Sequence, residues 1–421
     1  MKTPITLTTL CLLLAFSLSS CKQSSRNDFS NSELPVIDLE KEYPVKRIDI
    51  HEIADVEYIP LETTDESLIG NAYYNAISDK YIVIADAKYY QILIFDRQGK
   101  FIRAINKTGQ GPGEYISFHA FDVDFDKEEL YLYSLGQYKL WVYSFEGKFL
   151  REFKYDVNQK RLDLKRIDNF NQDYLITYND VYWPSPYPEH RREADKTPYY
   201  LINKENGAIK IVDKQLTIPH PVPPYLDRMV QGPSGHYNWT VGYQLNFIAR
   251  NGSSEYLLVE NAKDTLYLFE NQTLKPSIIR TPSITTMKDK RFISPCALTD
   301  KYFIYRRVIL DHDLDQQENT WYDKDKFPAY ILNRTNNEIF QVEVYDSNLS
   351  MEHTLNSKLR NGFPGNGAFH SSTSNNQVIS VHYPHQLDSK IDINTCKGKF
   401  KEIYSKIKED DNPILVVYTF K

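Results

Sequence analysis

The chain reads YIVIAD at residues 81–86, QILIFD at 91–96 and GKFIR at 99–103, three largely apolar runs separated by short polar stretches. Short runs rich in β-branched and aromatic residues are typical of strands joined by tight turns. The same pattern returns 48 positions later as LYLYS at 130–134, KLWVYS at 139–144 and GKFLR at 147–151. One more candidate strand precedes each set, at 72–77 and at 121–125. The sequence therefore predicts a repeated unit of four strands.

The short turns indicate that each unit is an antiparallel meander. Apolar residues follow one another directly at 82–84 and at 92–95, whereas a sheet with one wet face would alternate apolar and polar residues. Four-stranded sheets that are covered on both faces by similar sheets are the blades of a β-propeller. A two-sheet sandwich would also be rich in tyrosine, but it requires no 48-residue period, so the propeller is favoured.

Later units are less regular, and their candidate strands lie further apart. They fall at 173–178, 199–203 and 207–212, then at 246–250, 256–259 and 265–269, then at 302–305 and 329–332, and finally from 377. The spacing alone allows six or seven blades, and insertions must account for the long units.

The end of the chain departs from the repeat. Residues 397–409 place apolar side chains at helical spacing, which predicts a short amphipathic helix. Residues 414–418 form a last candidate strand, which we expect to pair with the N-terminal stretch 45–61 and so close the ring, since an open ring leaves exposed edges. Residues 45–421 are accordingly predicted to form one domain.

The N-terminus has the features of an export signal. Lys2 precedes an apolar run at 10–16 that is too short to span a bilayer, which needs roughly 20 apolar residues. Leu18-Ser19-Ser20-Cys21 resembles a bacterial lipobox, so we predict a signal peptide at 1–20, lipid attachment at Cys21 and a flexible polar tether at 21–44. The alternative is an ordinary secretory signal with a chance cysteine.

Composition excludes several classes of protein. The 421 residues are 41% hydrophobic and 25% charged, with a net charge of −6, which excludes a collagen-like or wholly disordered chain. No long basic run is present, so we expect no nucleic-acid partner. Cys296 and Cys396 remain in the folded part, either as a disulfide, which the oxidising envelope permits, or as two free thiols.

Three motifs carry a resemblance to a known family. YIPLETT at 58–64, GQGPGEY at 109–115 and NPIL at 412–415, on a chain with a lipobox, resemble the six-bladed β-propeller lipoproteins of Bacteroidetes-type bacteria. The resemblance implies an all-β propeller with six four-stranded antiparallel blades. It implies no reaction, because the family is largely of unknown function.

The glycine-rich loop at 109–113 suggests a phosphate loop, but a strand follows it rather than a helix, so we interpret it as a connector between blades. Glu114, Tyr115 and His119 lie beside it and are candidates for a ligand-binding rim. Trp183 and Tyr187, in a proline-rich insertion, are further rim candidates.

Two acidic clusters are weak candidates for calcium, although solvated turns are the expected role. They comprise Asp122, Asp124 and Asp126, and then Asp311, Asp313, Asp315 and Glu318. The first cluster lacks the glycine turn and distal glutamate of a calcium loop, and the second is expected to be a solvated loop, so we expect no cofactor, with weak calcium binding as the alternative. The chain also contains neither Gly-x-Ser-x-Gly nor His-Glu-x-x-His, so no catalytic residue is predicted.

These features together predict a lipid-anchored protein of the bacterial envelope, with the outer membrane as the expected location. The expected role is a binding platform for a protein partner or for an extracellular glycan or peptide. The alternative is a hydrolase, lyase or lactonase with carboxylates or a metal on the propeller axis. An enzyme needs at least two titratable groups that converge on one substrate atom, whereas a platform needs a broad aromatic and polar rim.

Overall fold

The computed structural model describes most of the chain from residue 34 onward. The described ranges are 34–157, 160–161, 164–179, 198–216, 225–232, 235–242, 246–252, 255–287, 291–309, 312–315, 320–323, 328–349, 370–371, 375–387 and 391–421. The chain divides into two units, Met1–Leu34 and Pro35–Lys421, and the fold below is that of the second.

Six antiparallel sheets form the blades of a β-propeller, as the sequence predicted. Blade 1 comprises Ala72–Ile77, Tyr81–Asp86, Gln91–Asp96 and Phe101–Ile105, and blade 2 comprises Ala120–Asp124, Glu129–Ser134, Lys139–Ser144 and Phe149–Lys154. Blade 3 comprises Leu164–Asn169, Tyr174–Asn179, Tyr199–Asn203 and Ile209–Ile211, and blade 4 comprises Asn246–Asn251, Glu255–Glu260, Thr265–Glu270 and Thr273–Thr281. Blade 5 comprises Arg291–Leu298, Tyr302–Ile309, Ala329–Asn333 and Ile339–Tyr345, and blade 6 comprises His370–Ser371, Gln377–His382, Ile414–Phe420 and Ala54–Pro60. The first strands of neighbouring blades contact one another and line the axis.

The N-terminal segment contributes to three blades in succession. Val36–Asp38 pairs in parallel with the last strand of blade 4, and Val45–Asp49 pairs in parallel with the last strand of blade 5. After the short helix Ile50–Ile53, Ala54–Pro60 pairs with Ile414–Phe420 and closes the ring. Of the predicted closing stretch 45–61, only its second half therefore pairs with the last strand. Val36–Asp38 also lies within the predicted tether of residues 21–44, so these three residues of that segment form a strand.

The chain also forms shorter elements outside the strands of the blades. The helix Gly398–Tyr404 confirms the predicted helix before the last strand and buries Phe400 and Tyr404. The others are the helix Pro384–Leu387, the 3-10 turn Lys214–Leu216 and three hairpins, formed by Asp156–Val157 with Lys160–Arg161, Tyr225–Gly232 with Gly235–Gly242, and His312–Asp315 with Thr320–Asp323. None of the helices among the described residues is long and apolar enough to cross a membrane.

The hydrophobic core lies in the seams between blades. Ile82 packs in the seam with blade 6 and Val83 in the seam with blade 2, and both are fully buried. Consecutive residues of one strand point to opposite faces, so both faces of the strand are covered. This arrangement explains the consecutive apolar residues in the sequence. Cys296 and Cys396 are free thiols, which decides between the two alternatives for them.

The two ends of the ring differ in the length of their connections. Because successive strands run antiparallel, the turns after first and third strands share one face, here called the turn face, and none is longer than the stretch 204–208. Segments after second strands, and the connectors that enter each first strand, share the opposite face, here called the loop face. The longest segments that leave from the loop face are 180–198, 212–245, 310–328, 346–369 and 383–413.

Candidate functional site

A cluster of charged side chains, here called the axial cluster, joins the first strands of blades 2, 3 and 4. Arg250 of blade 4 lies with its Nη1 2.6 Å from Oδ2 of Asp122 in blade 2 and 3.2 Å from Oδ1 of Asp168 in blade 3. Arg166 completes the cluster, with Nη2 and Nε each 2.7 Å from an oxygen of Asp168. Since the four residues come from three blades, their ion pairs hold those blades together at the axis.

Burial and the neighbouring charges shift the pKa of Arg250 in opposite directions. Burial alone would lower the pKa of this guanidinium, but the neighbouring Asp122 and Asp168 raise it above its ordinary value. The backbone N–H of Asn169 also donates to Oδ2 of Asp122, at 2.5 Å. The two carboxylates and two guanidiniums balance in charge, as buried ionic groups require.

The charged groups of the axial cluster form ion pairs with one another. Each carboxylate has a guanidinium partner, so neither Asp122 nor Asp168 is available as a general base or as an open cation ligand. Arg166 has the most exposed side chain of the four, at 32%, while the others are 5% exposed or less. A polar or anionic group that reached the axis would meet Arg166 first.

A second buried cation, Lys204, joins blades 2 and 3 at the turn face. Its fully buried Nζ lies 2.5 Å from Oδ2 of Asp124, 2.6 Å from Oδ1 of Asn169 and 2.5 Å from the carbonyl oxygen of Asn171. Burial lowers the pKa of Lys204, and the hydrogen bond and charge of Asp124 oppose that shift. The three acceptors satisfy all three donors of the ammonium group.

Two other blades have a cation at the position equivalent to Lys204, the first residue after the third strand. Arg97 of blade 1 pairs with Glu57 of blade 6, and Arg334 of blade 5 pairs with Glu255 of blade 4. Each cation directly follows the third strand of its blade and reaches the preceding blade. The three pairs therefore fasten alternate seams of the ring on the turn face.

The acidic residues that suggested calcium have other partners where the structure describes them. Asp122 and Asp124 share a strand two residues apart, as predicted, but Asp122 pairs with Arg250 and Asp124 with Lys204. The side chains of Asp313 and Asp315 lie outside the described part of the structure, as do Asp311 and Glu318.

The predicted rim residues beside the glycine-rich connector are not brought together. The carboxylate of Glu114 accepts a hydrogen bond from the Gly111 N–H at 2.8 Å, which closes the loop on itself. A side chain at Gly113, in that loop, would meet Phe149 on the last strand of blade 2, so the loop lies at the outer edge. Tyr115 is fully buried and donates to the Tyr90 carbonyl oxygen at 2.8 Å, and burial raises its pKa to about 12. Tyr115 is therefore a core residue.

His119 alone of these three lies near the axis. It directly precedes the first strand of blade 2, its side chain is exposed, and its Nδ1 accepts from the Leu135 N–H at 3.2 Å. Partial burial, and then the positive charge of Lys165 in blade 3, lower the pKa of His119. Cys21, Trp183 and Tyr187 lie outside the described residues.

Sequence reasoning missed the members of the axial cluster other than Asp122. A signal was present, because Arg250 follows the apolar residues at 247–249 and a charged residue inside a buried strand is rarely left without a partner. Asp168 and Arg166 lie in the strand Leu164–Asn169, which was difficult to recognise in the sequence because most of its residues are polar.

One further group has the residue types of a metal site. Ligand atoms of Asp49, His51 and Asp346 lie within 4.8 Å of one another where the N-terminal segment passes from blade 5 to blade 6. Each already has protein partners: Asp49 accepts from the His51 N–H, His51 Nε2 lies 3.0 Å from Asp346, and Asp346 accepts from Tyr58 at 2.8 Å. These contacts link the ring-closing strand to blade 5.

The comparisons with known proteins agree with the fold. A family model for a domain of unknown function, DUF4934, matches residues 34–419. The crystal structure of a candidate exported protein from Bacteroides fragilis is 14% identical with a TM-score of 0.59, covering 92% of this chain and 99% of that chain. A DUF4221 family member from Bacteroides vulgatus is 11% identical with a TM-score of 0.47, covering 88% of this chain and 97% of that chain.

No curated protein matches the chain. At 14% identity, the likeness to the Bacteroides fragilis protein bears on the fold alone. The predicted resemblance to six-bladed propellers of Bacteroidetes-type bacteria is confirmed by the family match together with the Bacteroides fragilis structure. Because the family model covers nearly the whole folded part, the chain belongs to the DUF4934 family of unknown function.

Proposed function

We propose that the protein is a lipid-anchored propeller of the bacterial envelope that binds a partner protein, or an extracellular glycan or peptide, through its loop face. One observation carries the proposal: the connections on the turn face are all short, whereas the long segments leave from the loop face. Stability requires only short turns, and in repeat folds insertions collected on one face often form the binding surface.

The chemistry of the axis supports binding rather than catalysis. The charged side chains of the axial cluster are joined in ion pairs across three blades. Among the described residues, the charge that acts on the exposed His119 is that of Lys165, and not that of a carboxylate that would orient the imidazole as a general base.

The envelope location rests on the N-terminal sequence. The apolar run at 10–16 and the lipobox-like residues 18–21 precede a polar stretch that reaches the first described strand at Val36. A related fold in an exported protein of Bacteroides fragilis supports export. An outer-membrane location is part of the proposal.

Cross-linking in intact cells, followed by identification of attached proteins, tests the platform. In one variant, residues 181–196 are replaced by four Gly and Ser residues, because Tyr178 and Tyr199 are already paired across the two strands. The matched control inserts the same four residues into the turn-face turn at 145–148. We expect the first variant to lose its cross-linked neighbour and the control to keep it.

Equal capture by both variants would contradict the role of the loop face. The absence of any neighbour, together with a metal in the purified wild-type chain, would favour the enzyme instead. Lipid anchoring is tested separately with Cys21→Ala, which we expect to move the protein from the membrane fraction to the soluble fraction. Unchanged fractionation would refute the anchor.

A further inference from the structure

Two arginines and two tyrosines of blade 5 lie together in its seam with blade 4, beneath the N-terminal segment. We call Arg291, Tyr305, Arg307 and Tyr330 the seam cluster. Tyr305 and Tyr330 face each other on adjacent strands and are 1% exposed, and Arg307 is 5% exposed. Arg291, the first residue of the blade, is partly exposed.

The four side chains converge on one place. Arg291 and Arg307 both donate from Nη1 to the Leu39 carbonyl oxygen, at 2.9 and 3.3 Å. The Tyr305 and Tyr330 rings stack with centroids 5.5 Å apart and planes 19° apart, and the charge of Arg307 acts on both hydroxyls. The guanidinium carbon of Arg307 lies 5.0 Å from the centroid of the Tyr330 ring.

Each member of the seam cluster has a buried polar atom with no hydrogen-bond partner. These atoms are Arg291 Nε, Tyr305 Oη, Arg307 Nε and Tyr330 Oη. Buried polar atoms in native proteins are nearly always paired, because an unpaired one loses its hydration without compensation. All four atoms are hydrogen-bond donors, which suits an anion that carries several acceptor oxygens.

The charge of the seam cluster also favours an anionic acceptor. Its one acidic partner among the described residues is Glu42, whose Oε1 lies 3.1 Å from Arg307 Nη2 and whose side chain is 78% exposed. In the axial cluster, by contrast, Arg250 has two buried carboxylates as partners. The seam cluster therefore holds two positive charges with little buried negative charge to balance them.

We propose that the seam cluster is a binding site for a small oxyanion of the carboxylate or phosphate type. Guanidinium and phenol donors suit such an anion, since both give directed hydrogen bonds to its oxygens. The anion takes the place of the Glu42 carboxylate at Arg307, because the exposed Glu42 side chain is free to swing away while the arginine is fixed. This site is independent of any partner bound at the loop face.

The test measures thermal unfolding of the purified chain with increasing inorganic phosphate, acetate or glucuronate, against chloride at the same ionic strength. We expect at least one oxyanion to raise the midpoint as single-site binding requires, with a shift that grows as the logarithm of concentration above the dissociation constant, because the ligand binds only the folded state. The double variant Tyr305→Phe/Tyr330→Phe keeps both stacked rings and removes both hydroxyls. Its apparent affinity should fall at least about tenfold, the loss expected for hydrogen bonds to a charged group.

Tyr155→Phe is the matched control, because its hydroxyl already donates to the Gly207 carbonyl oxygen at 3.2 Å, away from the seam cluster. Near-UV circular dichroism verifies that each variant folds, and Arg307→Lys, which keeps the charge and removes Nε, replaces the double variant if that one does not fold. A single-site response that the control keeps and the seam variants lose supports the site, and the most effective probe identifies phosphate or carboxylate as the preferred group. No single-site response to any probe, or an equal response in the seam variants, overturns the proposal.

Discussion

Replacing Arg250 with methionine should destabilise the propeller strongly, because it removes the cation that Asp122 and Asp168 share. Arg250 lies 2.6 and 3.2 Å from the two carboxylates, and all three side chains are at least nine-tenths buried. Removing one partner of a buried ion pair typically lowers the unfolding free energy by about 3–5 kcal/mol. Asp168 keeps Arg166, so most of the loss comes from Asp122, whose remaining hydrogen-bond donor among the described residues is the Asn169 N–H.

Urea unfolding followed by tryptophan fluorescence measures this loss. Lys275→Met in the same blade is the matched control, since Lys275 is 62% exposed and lies 3.9 Å from Glu270. The control should change the unfolding free energy by no more than about 0.5 kcal/mol.

A second substitution separates lost charge from lost packing. Adding Asp122→Asn to Arg250→Met removes the uncompensated charge, so part of the stability should return, with a coupling of about 0.5–3 kcal/mol. If Arg250→Met costs no more than Lys275→Met, the axial cluster does not hold the blades together.

Three further predictions concern other parts of the ring. Lys204→Met should lower the unfolding free energy by about 3–5 kcal/mol in urea, because a buried ammonium group with three acceptors is lost; a change below about 1 kcal/mol would contradict the clamp. Gly99→Ala should lower it by about 1–3 kcal/mol, since Gly99 has φ +86° and an added Cβ would lie 2.3 Å from the Pro60 carbonyl oxygen; unchanged stability would show that the turn adapts. Lys165→Met should raise the pKa of His119 toward its ordinary value in an NMR titration, because the lysine charge is one cause of its lowering, and an unmoved titration would place Lys165 too far away.

The regular part of the fold was predictable because its turns are short. Blades 1 and 2 keep a constant offset of 48 residues, and their strands lie within three residues of the predicted bounds. Blade 3 was harder, because its first strand, Leu164–Asn169, alternates with charged residues and lacks the apolar run of the others. The N-terminal strand Val36–Asp38 was missed because its surroundings are polar and a strand of three residues has no visible period.

The site was less predictable than the fold, because its members meet only in the ring. Asp122 and Arg250 are far apart in sequence, and nothing local relates them. The same polar residues that made Leu164–Asn169 difficult to recognise, Arg166 and Asp168, belong to the axial cluster. Glu114 was misleading for the opposite reason, since a polar residue beside a glycine-rich loop serves that loop.

The pairing of Ala54–Pro60 with Ile414–Phe420 has a consequence for synthesis. A ribosome makes these two strands far apart in time, so the nascent polypeptide carries an unpaired strand edge until the second strand emerges. Such an edge is prone to adhere to other chains, and delayed long-range pairing slows maturation. A protein built this way benefits from being kept unfolded until both strands have been made, and export in an extended form would provide that delay.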